Sequence, residues 1–469
     1  MSQKSSEQPT ERTSDTTRRR FLQTSVAGAG AFMGRWAFGA ASPTEAGPRA
    51  PSSGPQPNFL FVICDQLGLD ALAAHGCPDV HTPNMDRLVN RGVSFMESYS
   101  TNPLCSPARS SFFTGRMPVE TGVVDNGLAI RAGIPRMGAW FRQAGYETAY
   151  SGKWHLPGPY QPKIDGFTVL PAGVGEGDLV DTVTSRSCQA FLRNRRSDAP
   201  FLLVASFVQP HDICWWAINS GKLLREDLPF PQLRDRLPEL PPNHKIRPEA
   251  PKVHDARIYR RWSDLKWRYY LYIYYRQIEM VDAEIGRVLD ALDQSGQADN
   301  TIVVFTADHG EGRGRHRNVQ KWFPYDEAAK VPLIVSCPGR IPEKVKDATH
   351  LVSGLDIMST LCDYAGLEAP RGVLGKSLRP LLEDKPVEWR DYLVYETHFT
   401  GRTVRTPQFK YVTYEDDPVE QLFDMKADPW ETQNLYKESQ YADVMRQHRQ
   451  LLGEWQARLS PAPQATDVG

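Results

Sequence analysis

The chain has 469 residues, 40% of them hydrophobic and 24% charged, and its 55 lysines and arginines against 56 aspartates and glutamates leave a net charge of -1. Such a composition belongs to a globular protein and excludes a whole-molecule field that would recruit nucleic acid or an acidic membrane surface, so any anion site must be built locally. The length allows two or three folding units, or one large α/β domain with a small companion.

The first 57 residues stand apart. Thr17-Arg18-Arg19-Arg20-Phe21-Leu22-Gln23 resembles a twin-arginine export signal, and Ser25 to Ala41 is small and apolar, with a cleavage zone near Gly39-Ala40-Ala41. Residues 1–41 are therefore read as a targeting segment and 42–57, rich in Pro, Gly and Ser, as a linker. This reading places the mature protein in the periplasm or outside the cell. No other run approaches the ~18 apolar residues of a membrane span, so no stable membrane insertion is expected. Seven cysteines are present without a C-x-x-C pair, which argues against a thiolate zinc site and leaves disulfide pairing open.

Asn58 to Cys64 is a continuous apolar run of strand length, the kind buried on both faces of a parallel sheet, and it ends abruptly in Asp65-Gln66. Thr82-Pro83 opens a helix with Met85, Leu88 and Val89 on its buried side and Gly92 as its stop. A loop holding Cys105-Ser106-Pro107-Ala108-Arg109 comes next. A short helix over 137–144 then leads to a strand over 146–150 that empties into Ser151-Gly152-Lys153-Trp154-His155. Phe201 to Val208 is another strand, emptying into Gln209-Pro210-His211-Asp212. Residues 222–265 are proline-rich and charged and read as an insertion over the active face, and a long helix follows at about 267–295. Thr301 to Thr306 is a strand emptying into Ala307-Asp308-His309-Gly310-Glu311. Polar candidates thus recur just past the ends of apolar strands, the edge where open α/β sheets bind ligands.

After residue 385 the texture changes to short antiparallel strands, at 392–396, 409–414 and 420–424, and a helix over 441–459. The expected division is a catalytic α/β domain over 58–384 and a small α+β domain over 385–462.

Cys105-Ser106-Pro107-Ala108-Arg109, with Thr114-Gly115-Arg116 beyond it, resembles the signature of the sulfatase family. Ser151 to His155, Pro210-His211, Lys321 ahead of Tyr325 to Leu333, and Asp428-Pro429-Trp430-Glu431 with Asn434-Leu435 extend the resemblance from Asn58 almost to the end. It implies an alkaline-phosphatase-like fold: a large mixed, mostly parallel sheet flanked by helices, with a smaller C-terminal domain of antiparallel strands and a helix. It also implies that Cys105 is converted to formylglycine (3-oxoalanine) by a formylglycine-generating enzyme. The hydrated aldehyde suits the task, because one hydroxyl attacks sulfur and the other expels sulfate.

By the same resemblance Asp65, Gln66, Cys105, Asp308 and His309 hold one calcium ion. Oxygen donors suit calcium, a histidine nitrogen suits it less, and Gln66 stands where the family commonly has a second acid. Lys153 and Lys321 are implied to bind sulfate oxygens, with Arg109 as a permanently charged fork, His211 to protonate the departing alcohol and His155 to help break down the sulfated diol. His316 is a further pocket candidate. Trp215-Trp216 and the aromatic stretch from Trp262 to Tyr275 suit either sugar stacking or core packing.

The expected function is hydrolysis of a sulfate ester, on a sulfated glycan in preference to a small aryl or alkyl ester. A phosphonate monoester or phosphodiester hydrolase and a catalytically silent glycan-binding protein are the rivals.

Overall fold

The computed structural model describes residues 47–48, 56–158, 160–223, 228, 230–252, 261–397 and 400–460. The export signal expected at 1–41 lies outside the described residues, as does most of the linker. The described residues belong to one compact unit, 45–469. Fourteen strands are found among them: β1 (Asn58–Asp65), β2 (Gly92–Phe95), β3 (Ser98–Tyr99), β4 (Glu147–Gly152), β5 (Thr168–Val169), β6 (Phe201–Pro210), β7 (Thr301–Ala307), β8 (Leu333–Ser336), β9 (Val345–Asp347), β10 (Val352–Ser353), β11 (Leu393–Thr397), β12 (Gly401–Arg405), β13 (Phe409–Tyr414) and β14 (Asp417–Asp424).

Eight strands form the central sheet in the order β5-β4-β6-β1-β7-β8-β2-β9. The run from β5 to β7 is parallel throughout. β8 then pairs antiparallel with both β7 and β2. Both faces of the sheet are covered, which is why β1, β6 and β7 read as unbroken apolar runs. Along β1 the side chains alternate: Leu60, Val62 and Cys64 join one core with the helices Pro83–Asn90, Gly177–Asn194 and Asp264–Gln294. Phe59, Phe61 and Ile63 join the other, with the helices Cys105–Thr114, Met137–Gln143 and Asp356–Tyr364.

The parallel register puts the C-terminal ends of β4, β6, β1 and β7 along one edge. Gly152 pairs with Ser206, Asp65 with Pro210, and Cys64 with Ala307. The predicted strands are found within two or three residues of their expected bounds. The strands that sequence reading did not reveal, β2, β3, β5, β8, β9, β10 and β12, are two to five residues long. Segments that short show no readable alternation, and a neighbouring strand decides whether they pair.

Toward the C-terminus β11 to β14 form a four-stranded antiparallel sheet. The helix Ala442–Gln456 packs on it through Met445 and Leu452 against Val404 and Leu422. A buried Lys410 ties this sheet to the main body, with its ammonium 2.7 Å from Glu431 and also paired to Asp326. The described part of the proline-rich stretch links the long helix to the C-terminal region. Arg268 donates to the carbonyls of Leu237 and Pro238, and Asn243 donates to the carbonyl of Trp430.

No helix among the described residues is long and apolar enough to cross a membrane. All seven cysteines are buried and free of disulfides.

Candidate active site

The stretch expected to be a signature loop is helical. Cys105 is the first residue of the helix Cys105–Thr114, Leu104 caps it in an extended conformation, and Gly115 ends it at a φ of 66°. Pro107 is tolerated because the first turn has no intrahelical use for its missing N–H. The spacing of Cys105 and Arg109 then has a physical meaning: residues four apart share one face of a helix, so the arginine sits one turn behind the thiol. The positive end of the helix dipole also favours an anion at position 105.

Around this helix end the strand termini deliver their groups. Asp65 ends β1, and its Oδ2 accepts from Lys153 Nζ at 2.8 Å and from Arg109 Nη2 at 3.1 Å. Arg109 Nε donates to Asp308 Oδ2 at 2.8 Å, and its Nη1 donates to the Lys153 carbonyl and to Ser206 Oγ at 2.8 and 2.9 Å. Arg109, Asp65 and Asp308 are fully buried. Gly152, at a φ of 100°, allows the turn that brings Lys153 in, since a Cβ there would strike the Ser206 carbonyl.

The Cys105 sulfur lies 3.2 Å from Lys321 Nζ, 3.2 Å from His309 Nε2 and 3.7 Å from Asp65 Oδ1. Burial and Asp65 push the thiol up, while Lys321, Lys153 and His309 more than offset them and hold it well below its ordinary range. Burial also works against ionisation of Asp65, but Lys153, His211, Lys321 and Arg109 keep it well below the usual carboxylate range, whereas burial and the neighbouring Asp65 push Asp308 up. His155 and His211 feel the charge at Asp65 beside Cys105, and among the described residues the buried Nδ1 atom of each has no hydrogen-bond partner. Burial, followed by Lys153 and Lys321, lowers His211 to about 4.

Asp65, Cys105, Asp308 and His309 present donor atoms within 4.8 Å of one another. His309 Nδ1 lies 2.9 Å from the Gly310 carbonyl, which only accepts, so in the neutral ring the proton sits on Nδ1 and the Nε2 lone pair faces the cluster. Two carboxylates, an imidazole and the group at 105 form a donor set that fits a divalent cation.

Gln66 is placed differently from these four. At a φ of 72° its side chain turns toward Lys321, and its Oε1 accepts from Lys321 Nζ at 2.7 Å. His316 stands off the cluster, with Nδ1 2.9 Å from the Ile246 carbonyl and Nε2 3.2 Å from Asn243 Nδ2. Trp216 packs into a cluster with Trp262, Tyr269 and Tyr270, which is core, while Trp215, four residues after His211 in the chain, is exposed.

Sequence reasoning assigned no role to Ser206, Asp212 or Glu311. Ser206 had a signal as the one polar residue in an apolar run. Asp212 accepts from the amides of Gly177 and Asp178 at 3.1 and 3.2 Å, so it caps a helix whose start the sequence alone did not mark. Glu311 followed the Asp308-His309 pair, but only the fold shows what it touches.

Comparison with known proteins agrees with this geometry. The Sulfatase family profile matches residues 57–367, and that for the C-terminal region of N-sulphoglucosamine sulphohydrolase matches residues 314–458. A Delta 4,5-hexuronate-2-O-sulfatase of Bacteroides thetaiotaomicron is 33% identical over 435 residues, covering 86% of this chain and 89% of that protein. An N-acetylglucosamine-6-O-sulfatase of the same organism is 30% identical, covering 86% of each. A solved 2-O GAG sulfatase superposes with a TM-score of 0.77 at 31% identity, covering 87% of this chain and 95% of that one. The chain belongs to the sulfatase family and is a sulfuric ester hydrolase with the alkaline-phosphatase-like fold.

Proposed function

We propose that the protein removes sulfate from a sulfated carbohydrate through formylglycine at position 105, with a divalent cation held by Asp65, Asp308, His309 and the group at 105. The observation that carries this reading is the position of Cys105, at a helix N-terminus with Lys321 and His309 each 3.2 Å from its sulfur. Oxidised and hydrated, that position supplies a gem-diol nucleophile, and the cation supplies positive charge beside it.

The chain's own residues do the rest. Lys153 and Lys321 place two ammonium groups where the ester's charge must rest. Arg109 bridges Asp65 and Asp308 and ties both to the helix. His211, just past the end of β6, is assigned to protonate the departing alcohol, and His155, just past the end of β4, to help break down the sulfated diol. The carbohydrate assignment draws support from the two glycan-directed relatives and from the exposed Trp215, four residues after His211. Export through a twin-arginine route is proposed from Arg18-Arg19-Arg20 and the apolar stretch after it.

The test is peptide mass spectrometry of the Cys105 peptide from a host with a formylglycine-generating enzyme, paired with sulfate release from N-acetylglucosamine 6-sulfate and from an unsaturated uronate 2-sulfate. Conversion replaces sulfur and two hydrogens by one oxygen, and the modified protein is expected to release sulfate from one of these sugars. An unconverted thiol in such a host removes the nucleophile assignment. Faster cleavage of a phenyl phosphonate than of any sulfate ester moves the reading to phosphonate hydrolysis.

A further inference from the structure

Glu311 is fully buried and performs none of the steps above. Its Oε1 accepts from the Tyr270 hydroxyl and from the Gln320 backbone N–H at 2.5 Å, and its Oε2 accepts from Gln66 Nε2. Gln66 Oε1 in turn accepts from Lys321 Nζ at 2.7 Å, and that ammonium lies 3.2 Å from Cys105 Sγ. A continuous chain of hydrogen bonds therefore runs from the long helix to the catalytic position.

A primary amide has one accepting end and one donating end, so its orientation is set by what faces it. The two Glu311 oxygens accept from four donors, the fourth being the Arg313 backbone N–H at 3.4 Å from Oε1, and a group that only accepts forces the Gln66 NH₂ toward itself. The amide oxygen is then left for the lysine. Turned the other way, Gln66 would present N–H to an ammonium, two donors with no acceptor between them. Cys214 Sγ, 3.1 Å from the amide nitrogen and 3.2 Å from its oxygen, serves either orientation and does not decide between them.

We propose that Glu311 is a positioning residue for Lys321, acting through the Gln66 side-chain amide. Its carboxylate fixes which end of Gln66 faces Lys321 and thereby holds the ammonium against position 105. This deepens the sulfatase reading, since it concerns how that site keeps its sulfate-binding lysine in place.

Three calcium-saturated forms decide it: the parent, Glu311→Gln, and Glu311→Gln combined with Gln66→Glu. In Glu311→Gln the Tyr270 hydroxyl and Gln320 amide claim the single carbonyl oxygen, the new NH₂ faces Gln66, and the Gln66 amide inverts. Affinity for inorganic sulfate by titration calorimetry is expected to fall about ten-fold to a hundred-fold, the range for losing a hydrogen bond to a charged group. The double variant restores an acceptor to both neighbours, because the carboxylate introduced at position 66 takes one hydrogen from the amide introduced at position 311 and another from Lys321. Affinity then returns to within about three-fold of the parent. A purely structural role for Glu311 predicts no such rescue.

Parent-like sulfate affinity in Glu311→Gln, or a double variant no better than the single one at equal melting temperature, overturns the proposal. Should the parent itself bind no sulfate, the functional reading fails while the positioning claim is still decided by the crystal structure of Glu311→Gln. Lys321 displaced from Gln66 upholds the claim, and Lys321 unmoved overturns it.

Discussion

Arg109 and Asp308 meet at 2.8 Å with no solvent on either side chain, and the same guanidinium reaches Asp65 at 3.1 Å. One arginine thus bridges two buried carboxylates, at the end of β1 and just past the end of β7, and Lys153 supplies a second positive charge to Asp65. Removing one partner of such a set leaves a charge stranded in the interior. Arg109→Ala is expected to cost about 3–5 kcal/mol in urea unfolding, and Arg109→Lys, which keeps the charge but loses the fork, to recover less than half of it. Equal stability of the alanine variant and the parent would remove Arg109 from this role.

His211 is assigned to the departing alcohol, so its loss should depend on how much that alcohol needs a proton. His211→Ala is expected to lower kcat on a sugar sulfate by ~10²–10⁴ and to leave an aryl sulfate with an acidic phenol nearly untouched. A loss of the same size on both substrates would argue for a role in sulfate binding.

Cation removal reads out the cluster of Asp65, Asp308 and His309 without turnover. Dialysis against a chelator should lower the melting temperature and returning the cation should restore it, because a ligand present at 100 times its Kd contributes about 2.7 kcal/mol to the folded state. Asp308→Asn is expected to lose most of this cation-dependent shift. A melting temperature indifferent to chelator and cation would count against a bound ion.

On β11, burial and the nearby Glu120 push Glu396 up to about 7 from an ordinary 4.5, against the opposing pull of Arg402 and the Val119 amide. Its folded-state value is raised, so the native protein keeps a proton that the unfolded chain has already lost. Stability should therefore fall as pH rises from about 4.5 to about 7, by about 3 kcal/mol for this residue, and level off above. Glu396→Gln keeps an acceptor for Val119 and removes the titration. Denaturant unfolding between pH 5 and pH 8 should show a flatter profile for the variant, and parallel profiles would refute the assignment.

The local features were legible because each depends only on residues close in the chain. Apolar runs with polar ends gave β1, β4, β6 and β7, and the placement of candidates past strand ends gave the edge where Asp65, Lys153, His211 and Asp308 lie. The motif around Cys105 was legible as chemistry but not as structure. A cysteine and an arginine four apart are on one face only if the segment is a helix, and a proline between them concealed that. The short strands were hidden for a related reason, since two to five residues carry too little pattern and pair only where a neighbour is waiting.

Sequence by itself therefore determined the family, the parallel sheet and the set of charged groups that meet at its edge. Tertiary structure alone decided how those groups are partnered. Gln66 could be named from its place beside Asp65, but its amide orientation follows from Glu311, 245 residues further on, and its oxygen faces Lys321, 255 residues away. The physical reason is that an amide or a carboxylate takes its role from the donors and acceptors packed against it, and those arrive from strands and helices whose proximity no local pattern encodes.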